Sequence, residues 1–348
     1  MCFVSGLIYL DFFGNKEGIY LNIFDLSLKE NMKKNKIIVV GSTNIDMVVK
    51  SSHIPTPGET VLGGAFLMTP GGKGANQAVA IARLGGNATF ISKVGNDIFG
   101  KQSTQLFDEE GVDITNLLSD NNYPSGVALI TVDKLGENSI VVASGANANL
   151  TPDNVKLAFN NGCINEAKIV LMQLEIPMET VNFAASFAHS KAIYVIINPA
   201  PYNPLIEELF QYIDIITTNI TEAEKLSGIE IKDIESARKA AEIIHKKGIN
   251  HVIITLGKLG ALLLEDGEFH MIDAPIVDAV DTTAAGDVFN GALAVAIAEE
   301  KNLIQAVQFA CQAAAISVMR MGAQSSIPFR NEMILSDFEK VIKKTSKK

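Results

Sequence analysis

The chain has 348 residues, enough for one large α/β domain or two smaller ones around a substantial core. Lys+Arg total 29 against Asp+Glu 39, a net charge of −10 with no basic block beyond Lys343-Lys344 and Lys347-Lys348, which argues against a nucleic-acid or anionic-membrane partner. Three scattered cysteines (Cys2, Cys163, Cys311) and the lack of any apolar stretch long enough for a membrane span predict a soluble, cytoplasmic protein without a disulfide framework.

Residues 1–34 differ in character from the rest of the chain. Met1 to Phe13 is apolar but lacks a basic start and contains Asp11, so it makes a poor signal peptide. The segment reads as an N-terminal extension, disordered or loosely docked, with Met32 a more natural start. Lys36 to Gly41 is a good first buried strand. It ends in Gly41-Ser42-Thr43-Asn44-Ile45-Asp46, where Asn44 and Asp46 alternate along an extended chain and could grip neighbouring hydroxyls. An Asn/Asp turn is the competing reading. After a short β-like run, Val61 to Met68, the stretch Gly71-Gly72-Lys73-Gly74-Ala75-Asn76-Gln77 opens a helix through Leu84, closed by Gly85-Gly86. It is neither a phosphate-binding Gly-x-x-x-x-Gly-Lys-Ser/Thr loop nor a Gly-x-Gly-x-x-Gly dinucleotide fingerprint. Lys73 and Asn76, set beside flexible backbone, suit a polyhydroxylated ligand, the alternative being a solvated lysine.

Ala88 to Val94 reads as a strand and Asp97 to Glu110 as a helix. Gly126 to Val132 and Ser139 to Val142 then form a hairpin pattern that breaks the β/α rhythm. Together with the earlier run they predict a small separate sheet, with strands from about 45–69 and 123–143, serving as a mobile lid. From Thr151 the rhythm is regular. Strands at 169–174, 194–197, 213–217 and 252–256 alternate with helices such as 179–189 and 234–247, which implies a doubly wound, mostly parallel sheet. The main α/β domain spans 35–330, and 331–348 reads as a C-terminal helix with a basic tail.

Glu175 comes directly after a strand, again at a carboxyl end. Asn219-x-x-Glu222 opens a helix over 222–226; its glutamate is either a helix cap or a group ordering water around Mg²⁺, which needs few protein ligands. Thr255 to Gly260 is a strand–turn–strand suited to a nucleotide's phosphates and ribose, or a plain hairpin turn. An extended segment, Ile276 to Val280, leads into Asp281-Thr282-Thr283-Ala284-Ala285-Gly286-Asp287 and the apolar helix beyond. Ala284, Ala285 and Gly286 would leave first-turn N–H groups bare as an anion site. Asp287 beside them suits a general base that takes a hydroxyl proton; the competing reading has Asp281 or Thr282 simply capping a buried helix. A further helix, 303–319, precedes a small polar loop, Arg320 to Ser326, which could return toward Asp281 and Thr283 to hold a monovalent cation, or be only a loop. Cys311 reads as a packed small residue rather than a reactive thiol, and the five separated histidines offer no hydrolytic metal site or catalytic triad.

The set Gly41-Ser42-x-Asn44-x-Asp46, Gly71 to Gln77, Met172-Gln173-Leu174-Glu175, Asn219-x-x-Glu222, Thr255-Leu256-Gly257 and Asp281-Thr282-x-Ala284-Ala285-Gly286-Asp287 resembles, in order from about Lys36 to Pro328, the ribokinase family of sugar and nucleoside kinases. The resemblance implies a doubly wound domain whose β-sheet lid mediates homodimerisation. It implies ATP-dependent phosphorylation of the primary 5-hydroxyl of D-ribose, with Mg²⁺ carried with ATP and K⁺ or a similar cation as activator. Related acceptors (2-deoxyribose, another sugar, a nucleoside) and a non-catalytic sugar-binding regulator are the alternatives. By position, Asp287 resembles the family's base, and Ala284, Ala285 and Gly286 its anion hole. Asn44, Ile45, Asp46, Gly72, Lys73, Gly74, Ala75, Asn76 and Glu175, with Asp287, resemble the sugar grip. Asn219, Thr255, Leu256, Gly257, Lys258, Leu259, Gly260, Gly286, Asp287 and Cys311 resemble the nucleotide contacts, and Glu222 a water-mediated Mg²⁺ partner. Asp281, Thr283, Ser317, Arg320, Gly322 and Ser326 resemble the K⁺ loop, several acting through backbone carbonyls. Thr218 stands where the family usually has proline, Ile220 where an acidic residue is common, and Cys311 where His or Asn is frequent.

Overall fold

A computed structural model of the chain describes residues 36–333. The expectations about residues 1–34, the Met32 start and the basic tail therefore fall outside the described residues, apart from a short 3₁₀ turn, Arg330–Met333, at the beginning of the predicted C-terminal helix.

Strand β1, Lys36–Val40, shows how the layers arise. Its side chains alternate, Ile37 and Val39 facing one core and Ile38 and Val40 the other, so the strand is apolar throughout and buried on both faces. β1 pairs in parallel with β4 (Asn87–Gly95) on one side and with β8 (Ala167–Met172) on the other. Beyond β4 lies β5 (Leu117–Asp120). Beyond β8 lie β9 (Tyr194–Ile197), β10 (Ile215–Asn219) and β11 (His251–Thr255), all parallel. β12 (Ala261–Glu265) and β13 (Glu268–Ile272) close the sheet as antiparallel edge strands, giving the order β13-β12-β11-β10-β9-β8-β1-β4-β5. The order reverses between β1 and β8, which opens a crevice at their carboxyl ends.

One core holds α1 (Lys73–Arg83), α7 (Ala285–Ala298) and α8 (Leu303–Ser317) against the sheet; the other holds α3 (Pro152–Ala158), α4 (Met178–Ser190), α5 (Ile220–Ser227) and α6 (Ile234–His245). α2 (Ile98–Glu109) starts at Asp97, whose side chain caps it by accepting from the Gly100 N–H. Short side chains let α1 and α7 approach closely: a methyl at Gly291 would come within 2.6 Å of the Ala80 Cβ.

The second sheet has the order β3-β2-β6-β7, built from β2 (Asn44–Lys50), β3 (Phe66–Gly71), β6 (Gly126–Val132) and β7 (Asn138–Ala143). One expectation changes here. The run Val61 to Met68 forms strand only from Phe66 onward, because Gly63-Gly64 breaks it and the Gly64 N–H turns back to the Lys50 carbonyl. The segment 276–280 pairs with no strand, and Ile276 is 94% exposed. Phe66, Leu67, Met68, Leu129, Ile140, Val141 and Val142 leave much of this small sheet apolar and open.

Candidate active site

The crevice is assembled by close backbone approach. Gly74 packs its Cα against the Gly41–Ser42 backbone, and the Ala75 N–H donates to the Ser42 carbonyl, so the start of α1 rests on the turn between β1 and β2. That contact brings Glu175, just past β8, into reach. Its Oε2 accepts from the Ser42 hydroxyl at 2.5 Å and from the Lys73 backbone N–H at 3.0 Å. Asn44 opens β2, and its Oδ1 accepts from the Asn147 side chain at 2.8 Å. Asn147 also bonds both the N–H and the carbonyl of Thr43, and so clamps the strand's first residues. Asp46, two residues on, lies against Gly71, where a methyl group would strike its carboxylate. Asn44, Asp46, Lys73, Asn76 and Glu175 thus converge, as the sequence suggests; Gly72, Gly74, Ala75 and Ile45 supply the backbone between them.

Asp287 closes the crevice from α7. It is 4% exposed, and its two oxygens each take one amide donor, Oδ2 from Asn76 Nδ2 at 2.9 Å and Oδ1 from Gln77 Nε2 at 3.0 Å. The helix starts at Ala284 in a left-handed conformation (φ 59°) with no side-chain cap. Neither Asp281 nor Thr282 caps it. Asp281 instead accepts from the N–H and hydroxyl of Thr283 and from the Gly322 N–H, joining the two loops. The N–H groups of Gly286 and Asp287, on the first turn, find no intramolecular acceptor among the described residues, and Gly286 is exposed. Open donors, the positive helix end and a carboxylate a residue away form a site for an anion next to a base.

Charge is concentrated here. Burial, and then the Glu175 and Asp287 carboxylates, push Asp46 up to about 7, with Lys73 partly opposing. Burial alone would lower the Lys73 ammonium, but the carboxylates of Asp287, Glu175, Glu222 and Asp46 outweigh it and raise it. A raised carboxylate is favoured in its neutral form by folding, so the ligand-free fold loses that stabilisation as pH rises toward 7. An ionised Asp46 accepting two hydroxyls recovers it. A polyhydroxylated ligand in this crevice should therefore raise the melting temperature more at pH 8 than at pH 6, and its KM should fall as pH rises through about 7. Asp46→Asn should flatten both trends; steady-state kinetics with thermal scans across that range would check this.

The second half of the crevice lies at the ends of β10 and β11. Asn219 and Glu222 form a reciprocal capping box on α5, so the capping reading of Glu222 holds geometrically. Only Oε2 is spent on it. Burial pushes the Glu222 carboxyl up, against the Asn219 N–H and Lys73, and its other oxygen is the one that could meet a hydrated Mg²⁺. Thr255 donates its hydroxyl to the Thr218 carbonyl, and Leu256 to Gly260 turns tightly, leaving Gly257, Lys258 and Leu259 exposed at the crevice. Gly260 (φ 100°) packs its Cα against the Ile272 carbonyl.

Cys311 is buried in the apolar core at 5% exposure and its thiol is pushed up to about 12 by burial, so its side chain is a packing group rather than a ligand contact. The loops 281–283 and 317–322 do meet, through the Asp281–Gly322 bond and through the Val318 carbonyl, which accepts from the Val280 and Asp281 N–H groups. The Arg320 guanidinium pairs with Glu332, and the Ser317 and Ser326 hydroxyls donate to the Ala314 and Ala323 carbonyls. A cation there would therefore be met by backbone oxygens and Asp281 rather than by those side chains. Asn147, Asn198 and Asn290 are site-supporting residues absent from the sequence reading, and Gln77 and Gln173 appear there only within motifs, without a role.

The profile of the pfkB family of carbohydrate kinases matches residues 34–330. The chain is 46% identical over 301 residues to the ribokinase of Haemophilus influenzae, covering 86% of this chain and 98% of that protein. Among solved structures, ribokinase from Thermotoga maritima superposes with a TM-score of 0.78 at 44% identity, covering 87% of this chain and 99% of that one. Arabidopsis thaliana ribokinase complexed with ribose and ATP superposes with a TM-score of 0.79 at 33% identity, covering 88% of this chain and 98% of that one.

Proposed function

Because the chain belongs to the pfkB family of carbohydrate kinases, we propose that it transfers the γ-phosphoryl group of ATP to the 5-hydroxyl of D-ribose, giving D-ribose 5-phosphate and ADP. The observation that carries this reading is Asp287, a buried carboxylate at the bare end of α7 that shares Asn76 with the hydroxyl-binding crevice.

Asn44, Asp46, Lys73, Asn76 and Glu175 hold the sugar. Acceptors and donors alternate among them, which suits a molecule whose hydroxyls both give and take hydrogen bonds. Asp287 accepts the proton of the 5-hydroxyl as it attacks. The N–H groups of Gly286 and Asp287 hold the phosphoryl oxygens as charge spreads over them. Asn219, Thr255 and the turn 256–260 receive the nucleotide. Glu222 would hold Mg²⁺ through water, and the ion carried with ATP would supply charge neutralisation at the phosphates.

The loops joined by Asp281 form the activating site for K⁺ or a similar monovalent cation. Burial raises the Asp281 carboxyl, but its bonds from Thr283 and Gly322 win and keep it low, so it stays ionised beside a cation. Asp281→Ala should bring turnover down to the K⁺-free level and abolish stimulation by K⁺; an undiminished K⁺ response would remove that loop from the reading. The open apolar face of the small sheet supports a homodimer built on the lid, since contiguous exposed apolar surface of this kind is characteristic of interaction sites. Free, buried Cys163 and Cys311 accord with a cytoplasmic location.

The test is ADP release with ribose, 2-deoxyribose, fructose and adenosine, each with and without K⁺. Ribose-selective turnover is the expected result. Turnover on another acceptor would keep the mechanism and overturn the sugar, and ribose binding without turnover would make the protein a sugar-binding regulator.

A further inference from the structure

Beneath Asp287 lies a buried strip of polar side chains to which the reading above assigns no part in holding the sugar or the nucleotide. Gln77 and Gln173 are fully buried, and Asn198, Thr217 and Asn290 nearly so. They come from α1, from the ends of β8 and β9, from β10 and from α7. Buried amides are costly unless paired, and apolar side chains would fill the same space, so packing alone does not account for them.

Their orientation can be read from one unambiguous group. The Thr217 backbone carbonyl can only accept, so the Asn198 NH₂, 3.0 Å away, must point to it. Asn198 then presents its Oδ1 to Gln77, 3.4 Å away, and Gln77 must turn its own NH₂ that way. The same Gln77 nitrogen donates to Asp287 Oδ1 at 3.0 Å. From the other side, the Gln173 NH₂ faces Gln77 Oε1 at 2.5 Å, which accords with that orientation without fixing it, since the Gln173 Oε1 has no partner among the described residues. A flipped Gln77 would set oxygen against two oxygens.

We propose that Gln77 is a positioning residue for phosphoryl transfer. Held by Gln173 and Asn198, it fixes Asp287 Oδ1 on the core side, so that Oδ2, on the Asn76 side, meets the attacking hydroxyl. This rests on Asp287 being the base. Gln77 is set back from the sugar by one residue along α1, so its loss should change alignment rather than affinity; a small misplacement of a reacting group can cost about 10²-fold in rate.

The experiment compares Gln77→Met, alone and combined with Asp287→Asn, by kcat, KM for ribose, KM for ATP and thermal melting. Gln77→Met should lower kcat by about 10- to 100-fold while leaving both KM values within about two-fold. In the Asp287→Asn background the same change should alter the residual rate by less than about two-fold, since the group being positioned is already gone. Gln77→Glu keeps the shape and the acceptor for Gln173 but turns an oxygen toward Asp287. It should lose at least as much kcat, and it tests the proposal if Gln77→Met does not fold. A Gln77→Met enzyme with kcat within about two-fold of the parent, while Asp287→Asn is silent, would overturn the proposal. So would equal losses in the two backgrounds, which would mark a structural role only. If Asp287→Asn itself kept its rate, the assignment of the base would fall first, and this proposal with it.

Discussion

Asp287→Asn should lower kcat by about 10²- to 10⁴-fold while ribose affinity stays within a few-fold of the parent, because a general base acts on the transition state and not on sugar binding. The substitution keeps shape and burial but changes what the group can accept. The carboxylate takes a donor on each oxygen, from Asn76 and from Gln77. An amide offers one acceptor and turns its own NH₂ toward one of those two donors. One buried N–H group is then left unpaired, a cost of about 1–3 kcal/mol that should appear as a modest drop in melting temperature. Phosphoryl transfer passes through a loose transition state in which the nucleophile's proton leaves late, so part of the loss will be in orienting the hydroxyl rather than in taking its proton. The two contributions can be separated. Isothermal titration with ribose reports the grip, and single-turnover kinetics with saturating ATP report the chemical step. A variant that kept more than about a tenth of kcat would place the proton elsewhere, and the bare N–H groups of α7 would remain as an anion site without an adjacent base.

The contrast between legible and hidden parts of this site has a physical origin. Asn44, Asp46, Lys73, Asn76, Glu175 and Asp287 can be found along the chain because each sits where a buried strand stops or a helix starts, and those boundaries leave local signals. The β/α rhythm and the hairpin of the lid are legible for the same reason. The supporting contacts leave no such trace, even where a residue such as Gln77 falls inside a legible motif. Gln77 meets Asp287 across 210 residues, Asn147 meets Asn44 across 103, and Thr217 meets Asn290 across 73; each is an ordinary amide or hydroxyl until the fold closes. Ala284 is hidden for a different reason. A left-handed conformation is rare for alanine, so the sequence points instead to Asp281 or Thr282 as the cap, and only the loop contacts of Asp281 show why neither serves. Strand ends move by about two residues because an apolar run can continue past its last pairing partner, as at Leu174 beyond β8.

Gly72→Ala should damage the sugar site severely. Gly72 has φ 91° and ψ 131°, a region almost closed to residues with a Cβ, and strain of that kind costs about 1–3 kcal/mol. The added methyl would also stand 2.7 Å from the Asn44 nitrogen and 3.0 Å from the Ser42 carbonyl and the Thr43 Cα, all backbone atoms. These atoms have nowhere to retreat, because Asn147 holds the N–H and carbonyl of Thr43 at 2.9 and 3.0 Å from the other side. Overpacking adds about 1–3 kcal/mol more. Against a typical domain stability of about 5–15 kcal/mol, the fold should survive at low temperature with a lowered melting point. Relief would come by moving the start of α1 away from β2, which pulls Lys73 and Asn76 from Asn44 and Asp46. KM for ribose should rise at least about ten-fold, an effect of about 1.4 kcal/mol, with KM for ATP changed far less. Gly136→Ala provides the comparison. Gly136 has φ 87° in the β6–β7 turn with nothing within 4 Å of its would-be methyl, so it carries the conformational strain without the clash. It should lower stability slightly and leave ribose kinetics alone. Equal ribose kinetics in the two variants would mean that the approach of α1 to β2 does not set the sugar grip, and that Asn44 and Asp46 act independently of Lys73 and Asn76.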